Sequence, residues 1–502
     1  MGARGLKDTL HAIRPRAWQV VLGMIAFAAP WLWLLERSTL APPTDNIEQL
    51  TWVRSLEWGY YKHPPLPTWL LWPFVQALGW SAWTTYVLGA LCTLGGFFIY
   101  WRMLRGMRGG AYALVALLAG LCVTFYNGRL HFYNHEIPLI TFVAGAAAAC
   151  WRAWQTRKIV WWVALGLCLG LGALSKYQAA VAALCVFVFW LSQRGWRDPM
   201  QVFGLQVAAL TALAVFFPHL YWLIEHNFEP LGYAMSSSLG ADLSWGARSR
   251  EVGRWWGDQI LNRALPAWAL LAALWLVTRR LRPAAPQVAA SDVAPDAARA
   301  LLLAFGLVPL LFVSMMALVS GAHVQLHWGT PYLLFVVPAA LELAGRGAWT
   351  RRVPPRAALV AFLVVQAALM LRMALVAPTG GAIARKPDDW RYFDSRALAE
   401  ALHAPAMRAL GGPVRLVSGP PAEAGALALR LPERPLVLIK GEPRFSPWVP
   451  ADLASRCGAL ELKRAPARPE GFEPVAAEFR NLYWRVRRPD GNGCGASDPH
   501  AS

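Results

Sequence analysis

The chain has 502 residues, 56% of them hydrophobic and 12% aromatic with 27 Trp, and a mean hydropathy of +0.35, which excludes an ordinary soluble protein. Its formal net charge of +19 would suit nucleic acid, but Lys and Arg stand in short clusters between apolar runs and never gather on one domain. Charge therefore speaks for membrane topology, and no nucleic-acid partner is expected.

The first apolar run, residues 17–35, follows Arg4, Lys7, Arg14 and Arg16, and no small-residue cleavage site comes after it. It is expected to be a retained first helix that starts in the cytoplasm. Further runs lie near 82–101, 111–126, 137–154, 159–174, 179–191, 201–223, 265–278, 300–319, 330–344 and 357–377, giving about eleven spans, several of them short against the roughly 20 residues of a crossing helix. With this arrangement twenty Lys and Arg fall on the predicted cytoplasmic side and nine outside, as the positive-inside rule requires. The expectation is a polytopic α-helical membrane protein over residues 1–377 and a small extracytoplasmic α/β domain over 378–502. The nine outer charges are not needed for topology and become candidates for holding an anion.

The first outer loop, residues 36–81, carries the polar stretch 44–67 with Asp45, Glu48, Glu57, Lys62 and His63 before a Pro-Pro pair. Residues 68–79, with Trp69 and Trp72, are expected to lie in the membrane interface. The second outer loop gathers Arg129, His131, Asn134, His135 and Glu136, polar groups that are costly at this depth unless they face an aqueous cavity or each other. In the third turn Lys176 and Tyr177 are wedged between apolar runs. The fourth outer loop, residues 224–264, holds Arg248, Arg250 and Arg254, with an amphipathic helix expected over 247–262. It reads either as a mobile cover for a phosphate-bearing ligand or as a surface helix drawn to anionic lipid heads. In the fifth loop His323 and His327 are spaced i, i+4, which on one helical face would suit zinc, but no third ligand accompanies them. Arg372, near the outer end of the last run, either snorkels outward or reaches the same cavity.

In the tail, helix is expected over 388–403 and strands over 414–418, 436–440 and 483–487. Of seven cysteines, five fall in apolar runs, while Cys457 and Cys494 share the tail, where a disulfide is permitted and left open by sequence alone. The 27 Trp are read mostly as interfacial anchors.

A face with acidic loops, isolated cations, aromatic rings and a lipid-facing entrance suits glycosyl transfer from a lipid-phosphate sugar. A carboxylate takes the acceptor proton, and Arg and Lys receive the leaving phosphate. The stretch 45–67 ending WGYYKHPPL, with RLHFYNHEIPL at 129–139, LGALSKYQA at 171–179 and QLHWGTPYL at 325–333, resembles the bacterial GT-C glycosyltransferases of the protein-mannosyltransferase and aminoarabinose (lipid A) transferase type. The resemblance implies an inverting transfer from a polyprenyl-phosphate sugar to an envelope lipid, glycan or protein at the outer face of the inner membrane. It points to Asp45 as base or acceptor-orienting group, with Glu136 supporting the site and Lys176 and Arg129 reaching the donor phosphate. Glu48 is a further acid candidate; Lys62, His63, His135, Tyr177, Arg248, Arg250 and His327 complete the predicted substrate- and phosphate-binding set. No metal ligand set is assigned, and a divalent cation stays open as a cofactor. Relatives commonly carry an acid where this chain has Lys62, so a role held by that acid is absent here or moved to Glu48 or Glu57. From the residues alone, Asp45 can also be read as a helix cap, Glu136 as an acid favoured at a helix start, and Lys176 as an interface anchor. A flippase of lipid-linked sugars is the competing function, but it would place polar groups near mid-membrane rather than at one face.

Overall fold

The computed structural model describes residues 15–279, 296–345, 347–378, 381, 390–491 and 494. Among them six helices are long and apolar enough to cross a bilayer: Ala17–Arg37, Ala82–Arg108, Glu136–Thr156, Pro199–Glu225, Ala297–Ser320 and Pro355–Leu375. Trp245–Arg263 and Leu265–Arg279 pass the same test only together and meet at 49°. Four shorter apolar helices, Gly110–Leu121, Ile159–Ser175, Ala179–Ser192 and Leu333–Leu343, occupy the places of other predicted spans. The chain is a multi-pass membrane protein.

Burial separates the helices into inner and lipid-facing sets. Glu136–Thr156 and Ala82–Arg108 bury more than half of their apolar windows, whereas Pro199–Glu225 and Pro355–Leu375 bury 17% each and present residues such as Leu210, Phe217 and Val364 outward. Without a hydrophobic force between helices in lipid, close approach through small residues takes over. A Cβ on Gly166 would meet the Ala208 carbonyl oxygen at 2.4 Å, and one on Gly89 would meet the Phe132 carbonyl oxygen at 2.2 Å. The second contact seats the 129–135 loop on helix Ala82–Arg108. At the opposite end of that helix Arg108 grips both oxygens of the buried Glu342 at 2.9 and 2.7 Å and Asp296 at 2.6 Å, a bidentate pairing that locks three helices together. The Trp residues divide: Trp18, Trp58, Trp72 and Trp245 are exposed as anchors would be, but Trp31, Trp52, Trp101, Trp162 and Trp255 are fully buried.

The tail forms a five-stranded sheet of β1 (Leu416–Gly419), β2 (Leu436–Ile439), β3 (Ala459–Arg464), β4 (Glu473–Pro474) and β5 (Leu482–Arg487) in the order β2-β1-β3-β5-β4. β1 runs parallel to β2 and β3, and β5 pairs antiparallel with β3 and β4. The helix expected over 388–403 begins later, at Ser395, because Asp394 accepts from the Arg396 and Ala397 amides and so caps the first turn; residues 388 and 389 lie outside the described residues. Cys457 and Cys494 are joined as a disulfide.

Two features tie this sheet to the helical part. Trp52, Tyr60 and Tyr61 belong to the same apolar core as Leu398, Leu427, Val437 and Leu460. Helix Pro421–Arg430 also lies so close to helix Thr44–Trp52 that a Cβ on Gly425 would meet Ile47 Cγ2 at 2.4 Å.

Candidate active site

Helix Thr44–Trp52 is buried along most of its length, including Asn46, Glu48 and Gln49, so its polar side chains must find partners. Asn46 uses its whole amide: its nitrogen donates to Thr85 Oγ1 and the His131 carbonyl, both at 2.8 Å, and its oxygen accepts from the Tyr133 amide at 2.9 Å. This stitches the 129–135 loop to the helix and sets Asn134 beside Asp45, whose Oδ2 accepts from Asn134 Nδ2 at 2.9 Å. Asn134 Oδ1 in turn accepts from the Glu136 amide at 3.0 Å. Pro43, not Asp45, occupies the cap position of the helix, so the Asp45 carboxylate is directed at the neighbouring loop.

The other two acids are closed by lysines. Lys62 Nζ lies 2.7 Å from Glu48 Oε1, and Tyr61 donates to the same oxygen at 3.3 Å. Burial works against the Lys62 ammonium, but Glu48 with Tyr61 and Tyr233 outweighs it and raises the lysine pKa. Lys176 pairs with Glu136, whose side chain is 1% exposed, and His327 Nε2 stands 3.6 Å from the same Glu136 oxygen. Glu136 Oε2 is buried without a hydrogen-bond partner among the described residues.

The predicted histidines fall together. The rings of His63 and His135 lie against each other, tilted by 36° with centroids 3.9 Å apart. Thr68 donates to Gln49 Oε1 at 3.1 Å, which turns the Gln49 nitrogen toward His135 Nε2 at 3.4 Å and makes that ring nitrogen an acceptor. Burial, then the nearby cations, hold both imidazoles well below the usual histidine range. His131, between Tyr86, Phe132 and Trp390, has both ring nitrogens buried and without a hydrogen-bond partner among the described residues and is pushed down to about 3 by burial and then by Arg391 and Arg129. Below about pH 6.5 the unfolded chain binds a proton that this site refuses until far lower pH, so stability falls on acidification by about 1.4 kcal/mol per pH unit for each such group. Replacing His131 by Phe is expected to shallow the acid limb of the melting temperature against pH, with neutral-pH stability little changed.

Cations collect beside one aromatic ring. Arg129 Cζ lies 5.5 Å and Arg263 Cζ 5.4 Å from the Phe125 centroid, and Arg129 also covers Phe132 at 5.1 Å. Arg263 is paired with Asp258 at 2.5 Å. Arg129 has no ion pair among the described residues, and burial, then Arg263 and Arg391, push it down to about 10, still cationic at neutral pH. Arg391 was absent from the predicted site, and Arg263 figured only among the outer charges read as anion candidates. The signal for Arg263 was its place at the end of an amphipathic helix, one turn beyond Asp258 and not matched to it by the sequence reading.

Other predicted residues lie elsewhere or do structural work. Arg248 donates to the carbonyls of Leu243, Leu318 and Val319 at 2.6, 2.9 and 3.2 Å, capping the end of helix Ala297–Ser320. Arg250 is exposed, and Arg372 is exposed on helix Pro355–Leu375. Tyr177 donates to His219 Nε2 at 2.9 Å while His219 Nδ1 donates to the Trp58 carbonyl at 2.6 Å, latching the first loop to helix Pro199–Glu225. The amphipathic helix expected over 247–262 is part of Trp245–Arg263, and it is anchored: Arg254 donates to the Val324 carbonyl at 2.6 Å, Glu251 accepts from the Val324 amide at 2.9 Å, and Gln259 donates to the Leu326 carbonyl at 2.8 Å. The segment before it is tied to the same loop, with the His323 amide donating to the Ser238 carbonyl at 2.9 Å and the Leu243 amide to the Gly321 carbonyl at 3.0 Å, so the fourth loop is not a free cover.

His323 and His327 do not share a helical face. Only Leu326–Gly329 is helical there, as a short 3-10 turn, and His323 faces Glu251 at 3.4 Å while His327 faces Glu136. Among the described residues no three His, Cys, Asp or Glu side chains are grouped to hold a metal.

Comparison with known proteins follows the same lines. The family described as dolichyl-phosphate-mannose-protein mannosyltransferase matches residues 62–222, a stretch that begins at Lys62 and leaves Asp45 and Glu48 outside. The lipopolysaccharide core galacturonosyltransferase RgtB of Rhizobium johnstonii is 24% identical over 462 residues, 89% of this chain and 87% of that one. The lipid A galacturonosyltransferase RgtD of the same organism is 23% identical over 216 residues, 40% of this chain and 43% of that one; the match thus spans less than half of RgtD. In fold the chain is similar to the crystal structure of ArnT from Cupriavidus metallidurans bound to undecaprenyl phosphate, with a TM-score of 0.60 at 14% identity, covering 93% of this chain and 97% of that one. The apo form of that protein gives 0.53 at 17% identity, with the same coverage.

Proposed function

We propose that this chain, a member of the GT-C glycosyltransferases of the protein-mannosyltransferase and aminoarabinose-transferase type, moves a sugar from a polyprenyl-phosphate carrier to a saccharide-bearing envelope acceptor. The observation that carries the mechanism is the contrast among its three acids. Glu48 and Glu136 are each held by a lysine, whereas the carboxylate of Asp45 meets the neutral amide of Asn134 and keeps an oxygen for the acceptor. In this reading Asp45 takes the proton of the acceptor hydroxyl as the hydroxyl oxygen attacks the anomeric carbon. The bond from that carbon to the phosphate oxygen breaks, and polyprenyl phosphate leaves with one more negative charge. A single displacement inverts the anomeric centre. Arg129, without a carboxylate of its own among the described residues, and Arg263 beside it form the cationic pair that receives the leaving phosphate. The lipopolysaccharide-modifying relatives and the undecaprenyl phosphate named for ArnT support the acceptor class and the carrier. The exported face of the inner membrane rests on the charge bias of the loops.

Two measurements test this reading. Proton NMR of the first-formed product should show the anomer opposite to the donor's; retention would contradict single displacement. Arg129→Ala should weaken donor affinity by about tenfold to a hundredfold, the loss of one charge-assisted bond at about 1.5–3 kcal/mol, with acceptor KM unchanged. Unaltered donor affinity would remove the arginine pair from the phosphate site.

A further inference from the structure

Asn134 stands between two fixed points. Before it, the Tyr133 amide donates to Asn46 Oδ1 at 2.9 Å; after it, the His135 carbonyl accepts from Ser175 Oγ at 2.8 Å. The first anchor is the helical neighbour of Asp45, and the second precedes Lys176 in the third turn. The backbone on both sides of Asn134 is therefore set relative to the carboxylate it meets.

Its side chain is oriented as well as placed. Helix Glu136–Thr156 begins with amides that have no partner within the helix, and His135, at its cap position, makes no side-chain cap bond. Asn134 does this instead: its Oδ1 accepts from the Glu136 amide at 3.0 Å, and its carbonyl accepts from the Ile137 amide at 3.2 Å. With the oxygen of the planar carboxamide engaged, the nitrogen is directed to Asp45 Oδ2 at 2.9 Å. Serine or aspartate caps a helix about as well as asparagine; of the three only asparagine adds an N–H donor beyond the cap.

We infer that Asn134 is a positioning residue of the transfer site: it holds Asp45 Oδ2, so that the other carboxylate oxygen, Oδ1, is presented to the acceptor hydroxyl. The inference rests on the reading of Asp45 as base given above. A base acts only within hydrogen-bond reach of the proton it takes, and a carboxylate free to turn about its Cβ–Cγ bond offers its oxygens in many directions; a donor fixed on one oxygen selects the direction of the other. Asp45 and Asn134 are both half-buried, which leaves the open side of the carboxylate within reach of a substrate. The neutrality of the amide matters too. A lysine, as on Glu48 and Glu136, would fix the carboxylate equally but favour its charged form and make it a poorer proton acceptor.

The test uses the full chain in liposomes with polyprenyl-phosphate sugar and lipopolysaccharide, with kcat and both KM values followed against pH. Asn134→Ser keeps an oxygen for the helix start and removes the nitrogen. Its kcat should fall by about tenfold to a hundredfold, the loss of one hydrogen bond to a charged group, with donor KM and melting temperature near wild type. Asn134→Asp keeps the cap and sets a second carboxylate against Asp45. Two carboxylates that share a site resist ionising together, so the acid limb of kcat should move to higher pH. The charged groups that face Asp45, Glu48 on its own helix, Arg129 on the neighbouring loop and His327 on the fifth loop, are unchanged in this variant, so the shift reports position 134. Wild-type kcat in Asn134→Ser, an unmoved acid limb in Asn134→Asp, or a kcat that falls only in step with melting temperature overturns the inference. Failure of the underlying reading registers separately, as Asp45→Asn with wild-type kcat or wild type that consumes no polyprenyl-phosphate sugar, and it takes the inference with it.

Discussion

Asp45→Asn should lower kcat for sugar transfer by about 10²–10⁴-fold, the range lost with a general base, while donor affinity and melting temperature change little. The substitution keeps the shape of the side chain, and the amide oxygen still accepts from Asn134, so the packing of helix Thr44–Trp52 against the 129–135 loop survives. What is lost is the carboxylate proposed to receive the acceptor proton. Steady-state kinetics with donor and acceptor varied separately make the distinction. A variant with wild-type kcat would show that the base lies elsewhere, and a variant that loses thermal stability in step with activity would show that Asp45 is a structural residue.

The Glu136–Lys176 pair should be the most destabilising place to cut the site. Glu136 is 1% exposed and Lys176 15%, so removing the ammonium leaves a buried carboxylate without its counter-ion, a loss of about 3–5 kcal/mol. Lys176→Met alone should therefore fail to accumulate as folded protein or melt far earlier than wild type. Glu136→Gln with Lys176→Met removes both charges and should restore most of the stability. The same double variant should not restore transfer, because the site then lacks both the Glu136 carboxylate and the Lys176 ammonium beside Asn134 and Asp45. Thermal melts of the two variants, alongside donor turnover, separate the structural share of the pair from its share in catalysis. Equal stability of Lys176→Met and wild type would mean that the pair contributes nothing to the fold.

The membrane nature of the chain and the four motifs were legible because ionisable residues inside apolar sequence are costly unless they face a cavity or each other. Asp45, His63, Glu136 and Lys176 stand out for that reason, and the structure brings them to one end of the bundle. What sequence could not supply was pairing across the chain. Glu136 and Lys176 are 40 residues apart and Asp45 and Asn134 are 89 apart; Ser175, donating to the His135 carbonyl, helps close the first pair, and the seating of the 129–135 loop on Gly89 and Asn46 closes the second. Arg248 looked like an anion ligand because charge was visible and its carbonyl partners were not. His323 and His327 were given a helical period in a stretch that makes only one 3-10 turn before Thr330. In the tail, β3 went unread because Glu461 and Lys463 interrupt Leu460 and Leu462, the alternation of a strand with one solvated face. The use of Trp52, Tyr60 and Tyr61 in the core of the tail had no sequence signal at all, since aromatic residues beside a membrane read first as anchors.

The central claim, that the chain consumes a lipid-phosphate sugar rather than carrying it, is tested most directly by following purified wild-type protein in liposomes that contain only polyprenyl-phosphate sugar and a lipopolysaccharide acceptor. The account predicts glycosylated acceptor and free polyprenyl phosphate appearing in equal amounts. Donor that crosses the bilayer intact, with no product formed, would contradict it.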